Sequence, residues 1–257
     1  MNHTTYAILF SGALFLGMIF LLEVGRRAGI RRKTNDPEGA RHGLGVVEGA
    51  VFSLLGLLIA FTFSGALTRF DGRRILVTEE RNAIAKAYLR VDLLLPADQP
   101  ALRVLFRQYL DSRLTMYRKF PDMVAARSEY TRTIKLQNEI WSKAVVASQA
   151  TGSAPVEILL LPALNAMIDI TTTRMEVMKV HPPRIIFGML GGLALAAALL
   201  AGYGMVGQMR SWFHGIGLAA AVSVTAYVIV DLEYPRLGLI RVDSADVVLE
   251  ELLTSMK

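Results

Sequence analysis

The chain contains no cysteine. That excludes a disulfide framework, a thiol nucleophile, a Cys-ligated zinc or iron–sulfur centre and c-type haem attachment. Charge is scarce as well: Asp, Glu, Lys and Arg make up 19% of the 257 residues, against about 25% in an average soluble protein. The four histidines (His3, His42, His181, His214) are scattered without metal-ligand spacing. No G-x-S-x-G, Walker A or H-E-x-x-H occurs. Residues 202–207 fit G-x-G-x-x-G, but no strand precedes them and they lie at the end of an apolar run, the wrong context for a dinucleotide. Gly202-Tyr203-Gly204 lacks the Thr-Val that precedes it in a potassium filter. No nucleophile–base pair or ligand set can be assembled, so the sequence predicts no enzyme, no catalytic residue, no cofactor and no metal.

Apolar residues, by contrast, reach 53%, and the mean hydropathy is +0.41. A helix needs about 20 apolar residues to cross a hydrocarbon layer ~30 Å thick. Residues 6–24, 46–67, 185–206 and 212–230 qualify. The first carries only Glu23, at its end, the second only Glu48, and the last two no Asp, Glu, Lys or Arg. No Lys or Arg precedes the first run and no A-x-A-like site follows it, which predicts a retained anchor rather than a signal peptide.

Between the second and third runs lies a polar insert, 68–183, with 17 Lys+Arg and 12 Asp+Glu. Its apolar residues recur at helical spacing. Phe70, Val77, Ile84, Tyr88 and Val91 extend the second run without a break as far as Pro96. Asp98 is placed to cap a helix striped by Leu102, Leu105, Phe106, Tyr109, Leu110, Leu114 and Tyr117. Asp122 is placed to cap another, with Ile134, Trp141, Ala144 and Val145 on its apolar side. Gly152 ends that helix, and Ser153 begins a last one, interrupted by Pro162 and closed by His181-Pro182-Pro183. The expected fold is therefore all-α, a polytopic membrane protein with four transmembrane helices and a helical extramembrane insert. Its parts are 1–67, the first transmembrane pair with a basic connecting loop; 68–183, the helical bundle; 184–231, the second pair; and 232–257, a polar tail.

The net charge of +6 raises the question of nucleic acid. Arg103, Arg107, Arg113, Arg118 and Lys119 alternate with apolar positions, which is the solvated face of an amphipathic helix rather than a clustered patch with stacking aromatics, so no nucleic acid is expected. Basic residues in short loops set orientation. Arg26, Arg27, Arg31, Arg32, Lys33 and Arg41 join the first two spans and Arg210 the last two. The opposite side, without the insert, has Arg236, Arg241 and Lys257. That count places both termini and the insert on the non-cytoplasmic side of a bacterial inner (plasma) membrane.

The second span has the most informative pattern. At about 100° per residue, Gly45, Gly49, Ser53, Gly56, Ala60 and Ser64 share one sector of roughly 100°. Such a stripe of small residues permits close helix approach in lipid. It serves either packing within the chain or contact between copies around an axis, sealing an interface or lining a pore. Gly188 and Gly192 form a second small pair in span three. Thr62 lies between Phe61 and Phe63, rings of the kind that form a dewetting constriction. Glu48 is an ionisable group at membrane depth. It is either a cation or proton site, or a carboxylate that reaches interfacial water or pairs with Arg41. Arg69, Arg73 and Arg74 crowd the membrane junction, where they can contact lipid headgroups or concentrate anions at a pore mouth.

Phe63-Ser-Gly-Ala-Leu-Thr-Arg-Phe-Asp71, with Arg73-Arg74 and the run from Glu79 to Ile84, resembles the second-span junction of bacterial membrane proteins known as bestrophin-like. Asp231-Leu-Glu-Tyr-Pro-Arg-Leu-Gly-Leu-Ile-Arg-Val-Asp243 resembles the segment after that family's last span. The resemblance covers nearly the whole chain and implies two spans, a polar insert and two more spans. Its link to the bestrophins themselves implies a homo-oligomeric channel, with anions favoured among inorganic ions, and a cytoplasmic insert, opposite to the charge count. No residue here matches the bestrophins' aromatic neck or calcium clasp. The other reading is a non-conducting membrane scaffold or sensor whose insert binds an envelope or cytoplasmic partner.

Overall fold

The computed structural model describes residues 3–35, 44–205 and 212–256, and every regular element among them is helical. They are α1 (His3–Asn35), α2 (Leu44–Arg90) with a 3-10 turn (Val91–Leu93), α3 (Gln99–Arg118), α4 (Met123–Ala150), α5 (Ala154–Val177), α6 (Arg184–Gly204), α7 (Trp212–Leu232), a second 3-10 turn (Asp243–Asp246) and α8 (Val247–Ser255). Among the described residues α1, α2, α5, α6 and α7 are long and apolar enough to cross a membrane, one more than the four runs read from sequence. The addition is α5, which buries Leu160, Ala163, Leu164 and Met167 and leaves Ile158 and Leu159 exposed. The chain divides into two compact units, Met1–Arg69 with His181–Ile240 and Phe70–Val180 with Arg241–Lys257. Helix α2 contributes residues to both.

In the first unit α1 packs against α6 and α7. Leu14, Met18 and Leu22 of α1 are buried, as are Leu190, Ala194, Ala197, Ala198 and Ala201 of α6. Alanine and glycine thin this seam. A Cβ on Gly25 would overlap the Leu199 carbonyl oxygen, and one on Gly202 the Leu22 carbonyl oxygen, so only glycine allows the two backbones to come this close. The G-x-x-x-G pair of span three faces elsewhere: a Cβ on Gly188 or Gly192 would meet nothing.

The second unit is a bundle of α3, α4 and α5 completed by the second half of α2 and by α8. Phe70, Val77, Ile84 and Tyr88 of α2 and Val91 are buried, as their spacing predicts, and so is the whole apolar stripe of α3. Helix α4 is turned from its expected face. Ile134, Trp141 and Val145 are only half-buried, while Thr133, Leu136, Gln137, Ile140, Ala144, Ala147 and Ser148 are buried. The polar members of this face find partners, which removes the penalty for burying them. Thr133 and Ser112 share a hydroxyl hydrogen bond of 2.9 Å, and Gln137 donates to the Tyr109 hydroxyl at 3.4 Å. That hydroxyl also meets Thr171 Oγ1 at 2.8 Å.

Asp122 caps α4 as expected, accepting from the Val124 and Ala125 amides at 3.0 Å. Asp98 and Ser153 make no capping bond. Instead the Gln99 side chain donates to the Leu94 carbonyl at 2.9 Å, and Thr151 Oγ1 accepts from the Ser153 amide at 3.2 Å. Gly152 follows α4 with φ +64°, the left-handed geometry that ends helices. Residues 232–257 are not one polar tail: those up to Ile240 belong to the first unit, and α8 buries Leu249 and Leu252 in the second. Nine helical residues among acids are too few for their periodicity to stand out in sequence.

Candidate functional site: the second membrane helix and its junction

The membrane half of α2 has little packed against it within its own chain. Only Leu55 and Ala66 of residues 45–68 are buried. The small-residue stripe is open along its length: Gly45, Gly49, Ser53, Gly56, Ala60 and Ser64 are all exposed. A Cβ on Gly45, Gly49 or Gly56 would meet no other atom within 4 Å. Phe61 is 69% exposed and Phe63 38%. Thr62 is half-buried, and its hydroxyl is turned back onto the helix, donating to the Leu58 carbonyl at 2.7 Å and the Ile59 carbonyl at 3.0 Å.

Glu48 lies on a different meridian from the stripe, within about 20° of Leu55 and Ala66, the edge of α2 that does pack. Its carboxylate sits over Gly204 in the last turn of α6, with Oε2 2.9 Å from where a Cβ would be. It forms no hydrogen bond or ion pair among the described residues. Arg41, one of the alternatives for Glu48 read from sequence, lies outside those residues, as do Arg210 and the last two residues of the G-x-G-x-x-G run.

The junction resolves the three arginines into three roles. Arg69 donates to both carboxylate oxygens of Glu233, with Nε at 2.9 and 3.1 Å. Glu233 is wholly buried. The His181 Nδ1 stands 3.9 Å from the same carboxylate, and its ring stacks on Tyr234 with centroids 4.3 Å apart. Arg73 is buried, and its Nη2 donates to the Val180 carbonyl at 2.9 Å. Arg74 alone is exposed, 3.5 Å from Asp71. Asp231, fully buried, accepts from the Leu239 amide at 3.0 Å and the Ile240 amide at 2.7 Å. A Cβ on Gly238 would strike that carboxylate. Thus the acid, the Pro-containing turn and the Gly of the 231–243 segment form one folded knot.

A second group of ionised residues escapes a reading by sequence. Glu80 is completely buried in the second unit and accepts from Arg113 Nε at 2.5 Å, from Tyr117 Oη at 3.2 Å and from Arg174. Arg113 also donates to the Tyr117 hydroxyl, and both guanidiniums stand over the Tyr117 ring, at 4.9 and 4.3 Å. Asp246 lies 3.9 Å from Arg174. Arg113 is therefore not on a solvated face. The sequence signal was its place inside the apolar stripe, between Leu110 and Leu114. Nearby, the ammonium of Lys119, 2.9 Å from Glu129, holds that carboxyl below its usual range, with help from Arg132 and Ser112. Among the described residues no group of His, Asp or Glu is arranged to hold a metal.

The family model described as "Bestrophin-like domain" matches residues 37–247. No curated protein matches the sequence. Solved structures of a bacterial bestrophin homologue from Klebsiella pneumoniae, in three mutant forms, share the fold. One superposes with a TM-score of 0.71 at 12% identity, covering 95% of this chain and 98% of the other. The second gives 0.68 at 13%, covering 98% of each chain. The third gives 0.69 at 14%, covering 95% and 98%.

Proposed function

We take as premise that this chain belongs to the Bestrophin-like family, and we propose that it forms a homo-oligomeric ion channel in the bacterial inner membrane, with anions as the favoured cargo. The observation that carries the reading is the open stripe of α2. Six small residues lie exposed on α2, whereas the close glycine contacts at Gly25 of α1 and Gly202 of α6 are already made inside the chain. Lipid gives no reason to keep a line of glycine and serine bare, because acyl chains pack as well on leucine; another copy of the same helix does. Copies meeting along this line bring Ser53 and Ser64 toward the axis, with Phe63 at the edge of the stripe as the apolar constriction. Arg74 is the exposed cation at the mouth; Arg69 and Arg73 support the wall.

The test is ion flux. Purified protein in liposomes is expected to collapse a chloride gradient faster than empty liposomes and to migrate as an oligomer in mild detergent. A monomer without flux refutes the channel, and a cation-selective reversal potential refutes the cargo. Orientation is tested by labelling single cysteines placed at Thr34 and Ser128, since the native chain has no thiol to compete. The basic loop predicts Thr34 on the cytoplasmic side.

A further inference from the structure

Helix α1 leaves the membrane without ending. From Tyr6 to Arg27 it rises about 32 Å at 1.5 Å per residue, close to the ~30 Å hydrocarbon thickness, and it then continues to Asn35. One side, with Leu14, Met18, Leu22 and Gly25, is buried on its own chain. The other side is exposed at Leu9, Leu16, Phe20 and Val24, by 56, 67, 67 and 38%. Arg27 and Arg31 follow on the same meridian: at 100° per residue these six residues lie within about 80° of one another. Arg31 stands about 6 Å further along the axis than Arg27, which is the depth of a headgroup layer.

Glu23 decides which cations remain available. Its carboxylate takes Arg26 at 2.9 and 3.0 Å and Arg27 at 2.9 Å, so one acid is shared by two bases. Arg31 and Arg32 are exposed and form no ion pair among the described residues.

We propose that Arg31, on the exposed face of α1 with Arg27 one turn before it, and the exposed Arg32 that follows at the helix end bind the phosphodiester headgroup of anionic phospholipids in the leaflet at this end of the helix. The order along the face selects this ligand, since the apolar side chains meet acyl chains and the guanidiniums meet the phosphate attached to them. A guanidinium fork pairs two phosphate oxygens at once, and each base near an anionic surface adds to lipid attraction. The proposal does not depend on conduction.

The full chain in phosphatidylcholine nanodiscs, with and without phosphatidylglycerol, provides the test. Phosphatidylglycerol is expected to raise the unfolding temperature, and native mass spectra to retain it as adducts. Arg31→Gln with Arg32→Gln is expected to lose both effects. Arg107→Gln with Arg127→Gln, an equal charge change at exposed positions of the second unit, is expected to keep both. Should the Gln pair fail to fold, Arg31→Lys with Arg32→Lys keeps the charge without the fork and is expected to retain fewer adducts than the native chain. The proposal is overturned by equal adducts in native and Gln-pair proteins, by an equal rise with inorganic phosphate alone, or by a cysteine at position 31 cross-linking two copies in place of lipid.

Discussion

Glu233, at the end of α7 and shielded from solvent, holds Arg69 of α2 through both of its carboxylate oxygens. The two residues are 164 positions apart. The pair fixes the membrane end of α2 to the turn after α7 within the first unit, and His181 and Tyr234 close over it. Few other contacts hold this half of α2. Its placement therefore leans on one charge-assisted pair rather than on a packed apolar face.

Arg69→Met is expected to destabilise the chain by ~3 kcal/mol, the low end for breaking a buried pair, because Arg69 keeps some solvent contact while the buried Glu233 loses a guanidinium held by both of its oxygens. Glu233→Gln should cost less, since an amide oxygen still accepts from the guanidinium. The combination Arg69→Met with Glu233→Leu should recover most of the loss, because no charge remains buried. Thermal unfolding in detergent ranks the three; equal losses in all would mean the pair does not anchor α2.

The two sets of glycines should behave oppositely on enlargement. Gly25→Leu or Gly202→Leu drives a side chain into a neighbouring backbone carbonyl and is expected to abolish folding of the single chain. Gly49→Leu or Gly56→Leu enters open space in that chain and should leave its unfolding temperature unchanged while abolishing the oligomer. Leu57→Ala should leave both intact. Chemical cross-linking and circular dichroism on the same samples separate the outcomes, and oligomers persisting in both Gly49 and Gly56 variants would assign the stripe to lipid contact alone.

The helices were legible because burial against lipid or core imposes long apolar runs or a sharp 3.6-residue period, as in the α3 stripe. The open stripe on α2 was legible as a pattern, though sequence alone left open whether it packs within the chain. Charges were the weak point. Arg113 looked like one of several solvated bases despite its place between Leu110 and Leu114, because the carboxylate that makes its burial possible is 33 positions away. Glu233 likewise carries no local sign of its burial, because its partner Arg69 is 164 positions away. The face of α4 was misplaced because Thr133 and Gln137 count as polar until Ser112 and Tyr109 are known to satisfy them.

Low pH should loosen the second unit in a way that traces to Glu129. Its folded carboxyl titrates below the unfolded value, chiefly because Lys119 donates to it. The stabilisation is therefore complete above the unfolded carboxyl range, about 4.3, and is lost as pH falls through the lower folded value. Comparing the unfolding temperatures of the native chain and Glu129→Gln at neutral pH and near pH 3 isolates the effect. The gap between them should shrink on acidification; a constant gap would show that Lys119 does not hold this carboxyl.

The buried lattice around Glu80 yields the largest expected effect. Glu80→Leu strands Arg113 and Arg174 in the interior without the carboxylate they share; Asp246 stands 3.9 Å from Arg174, and Tyr117 cannot replace a carboxylate. Breaking a buried pair from one side costs about 3–5 kcal/mol, enough to consume much of a typical domain's stability. Removing all the charges together has the opposite logic, because the desolvation that the pairing had to offset disappears with them. Glu80→Leu combined with Arg113→Met and Arg174→Met should therefore unfold at a higher temperature than Glu80→Leu alone. Denaturant titration followed by helical circular dichroism measures both. If the triple variant is no more stable than the single one, the cluster contributes geometry that apolar side chains of similar size cannot supply, and the hydrogen bonds to Tyr117 become the part to dissect next.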